Sequence, residues 1–307
     1  MVRPRILVIG AGMVGSTSAA SIAARNLGTV CLYDIEENLA MGRAMDINHC
    51  LPSRGSDSLV AGYNDLAEAG PADIVVIAAG MARTAGMTRF DLLRSNARVI
   101  ESLAPVIAAR CPGARVLVVT NPVDVLTWHM GSLCPDLKVM GLGCSLDTIR
   151  LRHLIARAAG VSAASVAAMV MGTHDDNMIP LVSRASIGGI PAMALLNPAD
   201  VPDIIRQTRT AGGAIVNLMK THSGHYAAGE IVALVVESMA MDRGMVFPVS
   251  VRVSGEYGYR DICLSLPCVI DAQGIRRVIE LDLEEEERAL LAVCARCMAE
   301  QVRTLRS

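Results

Sequence analysis

Two arginines six residues apart, Arg83 and Arg89, follow directly on a strand-like run, Asp73-Ile-Val-Val-Ile-Ala-Ala-Gly80. A loop leaving the carboxyl edge of a parallel sheet lies where open α/β folds bind ligands. Guanidiniums there can clamp an anion bidentately and polarise a carbonyl, so the pair points to a small substrate with more than one anionic oxygen. Three further groups share this kind of position. Asn121-Pro122 closes another strand-like run, with an amide able to donate to a substrate hydroxyl and an X-Pro bond open to the cis form. Asp147 and Arg150 are three apart at the start of a helical stretch and so lie on one face. His174, in Gly172-Thr-His174-Asp175-Asp176, exchanges protons near neutral pH, and a buried carboxylate behind it would fix its tautomer. Taken singly, each has a plainer reading as a solvated arginine or a structural histidine. Their gathering on sheet-edge loops is what points to proton transfer.

A second cluster points to a dinucleotide. Gly10-Ala11-Gly12-Met13-Val14-Gly15 follows the first strand-like run and opens the first helical one. The first glycine allows a tight turn, the second lets backbone approach a pyrophosphate, and the third brings helix against strand. Asp34 lies nineteen residues after Gly15, where a carboxylate accepts from both ribose hydroxyls and repels a 2′-phosphate. With no Arg or Lys at 35 to 37, NAD is favoured over NADP.

The elements that must position these groups alternate. Strands are expected at Ile6–Ile9, Thr29–Tyr33, Ile74–Ala78, Arg115–Thr120 and Lys138–Met140. Helices are expected at Gly12–Asn26, Glu37–Asn48, Thr88–Cys111 and Pro122–Met130. Strict alternation argues for right-handed crossovers and a doubly wound parallel sheet of the Rossmann kind, while Val- and Ile-rich strands suit burial on both faces. The character changes near Gly141-Leu-Gly143, so residues 1–143 read as an NAD-binding domain and 144–307 as an α+β substrate domain, with the active cleft between them. The second half should hold a helix over 146–159 and a strand over Ser165–Met171. Helices at Val201–Lys220 and Tyr226–Arg243, an antiparallel pair (Val249–Ser254, Ile262–Val269) and a terminal helix at Leu283–Leu305 should follow. Gly212-Gly213 should weaken or kink the first of those long helices, at about 1 kcal/mol per glycine.

Composition narrows the class. The hydrophobic fraction of 52% promises a large core, and with aromatics at 3% the 17 methionines read as packing. A net charge of −2 offers no field for nucleic acid or an acidic membrane. Nine cysteines form no disulfide framework, and the one C-x-x-C, Cys294 and Cys297, shares an apolar helical stripe with Leu290, Leu291 and Met298. No second Cys/His pair completes a metal site, so no metal is expected. An odd cysteine count suits a reducing compartment, no secretory apolar region precedes the first strand, and no apolar run is long enough to span a membrane. The expectation is a cytoplasmic protein.

Several stretches in order carry a family resemblance: G-A-G-M-V-G, A-A-G-M-A-R-T-A-G-M-T-R, S-N-A-R, V-T-N-P-V-D, L-D-T-I-R-L-R, G-T-H, V-S-G-E-Y-G and I-E-L-D-L-E-E-E-E. From Ile6 to about Val302 the chain resembles the lactate/malate dehydrogenase family, and within it the lactate-dehydrogenase-like malate dehydrogenases of bacteria. The resemblance implies reversible NAD-dependent oxidation of (S)-malate to oxaloacetate, by a homodimer or homotetramer. It implies that Arg83 selects the distal carboxylate, where lactate enzymes carry glutamine, that Arg89 polarises the reacting carbonyl and that Arg150 binds the adjacent carboxylate. His174 and Asp147 would form the proton-transfer pair. Asn121 would lie near substrate and nicotinamide, with Asn96, Val119 and Thr120 at the cofactor. Two departures stand out. Thr84-Ala85 replaces the Lys-Pro or Gln-Pro common in the arginine loop, and Asp175 replaces a glycine beside His174, where an added carboxylate would favour the imidazolium. The alternatives are a lactate or broad 2-hydroxy-acid dehydrogenase, and a catalytically weak NAD-binding regulatory protein.

Overall fold

The computed structural model describes residues 3–81, 88–220 and 223–306. Arg83 lies outside these residues, and Arg89 is described only as the first residue of its helix. The first half runs β1 (Arg5–Ile9), α1 (Met13–Ala24), β2 (Thr29–Tyr33), α2 (Leu39–Cys50), β3 (Val60–Tyr63), β4 (Ile74–Ile77), α3 (Arg89–Arg110), β5 (Arg115–Val118), α4 (Val123–Leu133) and β6 (Lys138–Gly141). Its strands lie in the order β3-β2-β1-β4-β5-β6, all parallel. The chain goes from β1 to β2 on one side and returns through β4 on the other, so β1 and β4 flank the point where ligands of such sheets bind. β1, β4 and the middle of β5 are buried on both faces, as their unbroken Val/Ile/Leu runs require.

The second half opens with α5 (Ser145–Ala159), followed by five two-residue strands: β7 (Val166–Ala167), β8 (Val170–Met171), β9 (Ile179–Pro180), β10 (Ser186–Ile187) and β11 (Ile190–Pro191). Then come α6 (Val201–Met219), α7 (Tyr226–Ala240), β12 (Met245–Ser254), β13 (Arg260–Asp271), β14 (Gly274–Val278) and α8 (Glu285–Arg306). The β12–β13–β14 meander is antiparallel and joins the first sheet where Ser250 pairs with Gly141. One nine-stranded sheet therefore crosses both halves of the chain. A main core runs along it, and a smaller one gathers Leu151, Ile155, Val170 and Ile204 under α5 and α6.

Several expectations change here. The strand expected over 165–171 is split: Val166 pairs with Ile187 in one small sheet and Val170 with Pro180 in another. β3 and β14 were not foreseen, and Gly212-Gly213 lie inside one uninterrupted helix. The Cys294–Cys297 stripe is a helix face, with Leu291, Cys294 and Met298 buried.

Candidate active site

The glycine turn can be tested atom by atom. Gly10 has φ +101°, and a Cβ on it would come within 2.6 Å of the Ala79 backbone nitrogen. A Cβ on Gly15 would lie 1.8 Å from the Gly10 carbonyl oxygen, so α1 rests on the turn itself. At Gly12 a Cβ would meet nothing within 4 Å. No protein atom needs that glycine, so the space it leaves is open to a ligand. The first-turn N–H groups of α1 lack partners by the geometry of any helix and face that space, which is the donor set a pyrophosphate requires. Beside it, Asp34 accepts from the Ala11 N–H at 2.6 Å and the Glu36 N–H at 3.0 Å. Each carboxylate oxygen keeps a lone pair for a ribose hydroxyl. The residues fit a dinucleotide.

Beyond β4 and β5 the chain is laced at the sheet edge. Thr120 donates its hydroxyl to the Ala79 carbonyl at 2.6 Å, Val119 is half-buried, and the Asn121-Pro122 peptide is cis. Asn121 is exposed at the edge. Asn96 lies at the root of the arginine loop. It is 0% exposed, and its amide is committed to backbone: Oδ1 accepts from Met81 N–H at 2.8 Å, while Nδ2 donates to Met81 O at 3.2 Å and Asn121 O at 2.7 Å. In this conformation Asn96 ties the root of the arginine loop to Asn121, with one lone pair of Oδ1 uncommitted. The loop's far root is fixed by a reciprocal cap: Asp91 N–H donates to the Thr88 hydroxyl at 3.1 Å and Thr88 N–H to Asp91 Oδ2 at 3.0 Å.

The proton-transfer group is assembled across elements. Asp147, in the first turn of α5, is 0% exposed. Its Oδ2 accepts from His174 Nδ1 at 2.5 Å and its Oδ1 from Arg150 Nη1 at 2.9 Å. The His174 side chain is 18% exposed. With Nδ1 held by the carboxylate, Nε2 is the nitrogen left for chemistry. Burial works against the charge on His174, but Asp147 outweighs it with charge and hydrogen bond, Asp124 adds to it, and the imidazole pKa is raised. Burial likewise works against the charge on Asp147, and His174 and Arg150 outweigh it, so the Asp147 pKa is lowered. Both shifts favour an imidazolium–carboxylate pair.

Asp175 is bonded within its own turn. Its Oδ1 accepts from the Thr173 hydroxyl at 3.0 Å and the Asn177 N–H at 2.8 Å, capping its own turn. Its φ is not positive; the left-handed residue of this turn is Gly172, at +101°. Sequence reasoning also passed over two residues of this region. Asp124 stood inside the quoted V-T-N-P-V-D run without a role, although a carboxylate among Val123, Val125, Leu126 and Trp128 breaks the apolar pattern of α4. Gly212 leaves space beside Arg150, whose Nη1 would lie 3.7 Å from a Cβ there.

Comparison with known proteins agrees with this arrangement. Residues 4–140 match the lactate/malate dehydrogenase NAD-binding domain, and residues 144–305 match the lactate/malate dehydrogenase alpha/beta C-terminal domain. The chain belongs to the lactate/malate dehydrogenase family. It is 39% identical to the malate dehydrogenase of Roseiflexus castenholzii, over 99% of each chain. Among solved structures, malate dehydrogenase of Cryptosporidium parvum superposes with a TM-score of 0.95 at 34% identity, covering 99% of each chain. Lactate dehydrogenase of the same organism, solved with lactic acid and nicotinamide adenine dinucleotide, superposes at 0.94 with 33% identity, over 100% of this chain and 99% of the other. The first half is thus an NAD-binding Rossmann domain and the protein an oxidoreductase of this family.

Proposed function

We infer that the protein is an NAD-dependent malate dehydrogenase, interconverting (S)-malate and oxaloacetate. The observation that carries the reading is the His174–Asp147–Arg150 cluster at the carboxyl edge of the sheet that holds the glycine cradle. NAD bound there supplies a hydride acceptor at its nicotinamide ring. His174 Nε2 takes the hydroxyl proton as the carbon–hydrogen bond breaks and the C–O bond becomes a carbonyl, and Asp147 stabilises the resulting imidazolium. Arg150 binds the carboxylate next to the reacting carbon. We assign Arg89 and Asn121 to the developing charge on the reacting oxygen, and Arg83 to the distal carboxylate. We assign Gly10 to Gly15, Asp34, Asn96, Val119 and Thr120 to the cofactor.

The fold alone does not choose between malate and lactate, since the solved enzymes of both kinds superpose about equally well. Arg83 makes the choice: a guanidinium pairs with a second carboxylate, and pyruvate has none. Residues 1–143 are proposed as the cofactor domain and 144–307 as the substrate domain, consistent with the two family matches. Among the described residues no helix is long and apolar enough to cross a membrane. We propose a cytoplasmic homodimer or homotetramer; the nine unpaired thiols support a reducing compartment. The test is steady-state turnover of NADH with oxaloacetate and with pyruvate. Oxaloacetate should lead in kcat/KM by about 10²-fold or more, as recognition of its second carboxylate allows. Preference for pyruvate would reassign the enzyme to lactate. His174→Asn should lower kcat by about 10²–10⁴-fold with NADH binding little changed.

A further inference from the structure

Behind the proton-transfer group lies a second carboxylate that none of the roles above uses. Asp124, second residue of α4, is buried and has no cation within ion-pairing distance among the described residues. Its Oδ2 accepts the backbone N–H of His174 at 2.8 Å, and its Oδ1 accepts the hydroxyl of Ser265 at 3.2 Å. Ser265, on β13, has no exposed surface and is bonded on every side. Its backbone exchanges two hydrogen bonds with Gly172, at 2.9 and 2.7 Å, and its hydroxyl accepts the Cys144 N–H at 3.1 Å. A Cβ on Gly143 would lie 2.5 Å from that same hydroxyl, so the turn leading into α5 is pressed against it.

These contacts converge on three places. Asp124 sits three residues beyond Asn121. Gly172 and His174 form the catalytic turn. Cys144 immediately precedes α5, which carries Asp147 and Arg150. We propose that Asp124 and Ser265 are positioning residues that fix the relative placement of Asn121, His174 and the Asp147–Arg150 pair. Burying a carboxylate with no cation in ion-pairing contact is costly, and a fold that needed only packing here would place an apolar side chain in α4. A carboxylate has acceptor sites on both oxygens and no N–H of its own, which is what a group facing a backbone N–H and a hydroxyl at once requires. An amide would present a donor to one of them.

The pair also affects the proton. The charged groups facing His174 are Asp147, Asp124 and Arg150; those facing Asp124 are His174 and Asp175, with the Cys144 and Cys263 thiols close by. Burial raises the pKa of Asp124, opposed by the backbone N–H and the charge of His174. The Asp124 carboxylate supports the imidazolium from behind, as Asp147 does from the ring.

The test compares Asp124→Asn, Asp124→Ala and Ser265→Ala with wild type. A positioning role predicts graded loss of kcat for oxaloacetate reduction. Asp124→Asn should fall by about tenfold and Asp124→Ala by more, because only the amide keeps an acceptor for His174 N–H. NADH affinity should stay within about twofold, since the cradle is untouched. Imidazole titration of His174 by ¹⁵N NMR, assigned by its absence in His174→Asn, should move to lower pH in Asp124→Asn. Wild-type kcat in Asp124→Asn together with an unmoved His174 titration would overturn the proposal. So would loss of kcat and NADH affinity in equal proportion across all three, which marks general unfolding. Should Asp124→Ala fail to fold, Asp124→Asn and Ser265→Ala still decide. The proposal deepens the malate reading, but the NMR arm needs no substrate. Failure of the wild type on oxaloacetate would remove that reading alone, whereas an unmoved titration together with wild-type kcat in Asp124→Asn would remove this one.

Discussion

Asp147 is shut off from water, so its ionised form depends on what touches it: the imidazole at 2.5 Å and the guanidinium at 2.9 Å. Asp147→Asn removes the charge that holds the imidazolium and leaves Arg150 without its partner. Because the raised His174 pKa comes from Asp147 first among its neighbours, oxaloacetate reduction, which needs the protonated ring, should persist above the ring's ordinary value of 6.5. In Asp147→Asn the alkaline limb of reduction should move to lower pH and kcat should fall by about 10²-fold or more. A wild-type pH profile in that variant would show the ring is charged by something else. Asp175 leads to the opposite expectation. Its Oδ1 is held in its own turn by the Thr173 hydroxyl and the Asn177 N–H, so Asp175→Gly should displace the kcat/KM profile by less than about half a pH unit while costing about 1 kcal/mol in thermal unfolding for the lost cap. A profile displaced by half a pH unit would restore it as a charge on His174. Residue type and spacing singled out His174, Asp147 and Arg150, two of which share a helix turn, while their pairing and roles came from the family resemblance. The aim of the Asp175 side chain was not readable, because its partners belong to the folded turn.

Glycine spacing at the end of β1 was legible because three different constraints fall on three positions, and the structure separates them. Gly12 has an ordinary φ of −64° and open space, so Gly12→Ala should fold with little change in Tm. Its new methyl would occupy the room left for the pyrophosphate, and NADH binding should weaken by about tenfold or more, the order expected when a phosphate loses close backbone approach. Gly15→Ala should behave otherwise: a Cβ 1.8 Å from the Gly10 carbonyl must displace α1, lowering stability and binding together. Fluorescence titration with NADH alongside a melting curve distinguishes the two, and equal Tm losses would contradict the assignment. Short strands were the opposite case. Val60-Ala-Gly-Tyr63 has no apolar run to mark it, and it is a strand because β2 offers it an edge. Residues 165–171 do read as a strand, yet Val166 and Val170 find partners in different sheets. Pairing partners are long-range, and local propensity does not contain them. Gly212-Gly213 stay helical inside α6, which bears a local cost of about 1 kcal/mol each without a break.

At the scale of the molecule, the cofactor cradle and the second half of the chain are mechanically joined. Besides the continuous sheet, α1 packs along α7, with the Ser21 hydroxyl on Glu230 at 2.7 Å and Arg25 bridging Glu230 and Glu237 at 3.0 and 3.1 Å. These exposed ion pairs contribute little, about 0–1 kcal/mol each, beside the apolar burial of Ala19, Ile22, Ala228 and Ile231 in the same core. Gly229 of α7 is where the approach of the two helices is tightest: a Cβ there would lie 2.5 Å from Thr17 Cγ2 and 2.9 Å from the Thr17 backbone carbon. Substituting alanine sets two effects against each other. Helix propensity favours Ala over Gly by about 1 kcal/mol, whereas overpacking a tight contact costs about 1–3 kcal/mol. With backbone among the atoms met, the clash cannot be relieved by a rotamer, so the cost wins. Gly229→Ala should lower Tm by about 2–8 °C, and because α1 is pushed at Thr17, one turn from Met13, NADH affinity should fall several-fold with it. Thr17→Ala in the same chain removes the nearest methyl and should recover part of both. If Gly229→Ala instead raised Tm and left NADH affinity unchanged, propensity would have won and the α1–α7 contact would be looser than the structure draws it.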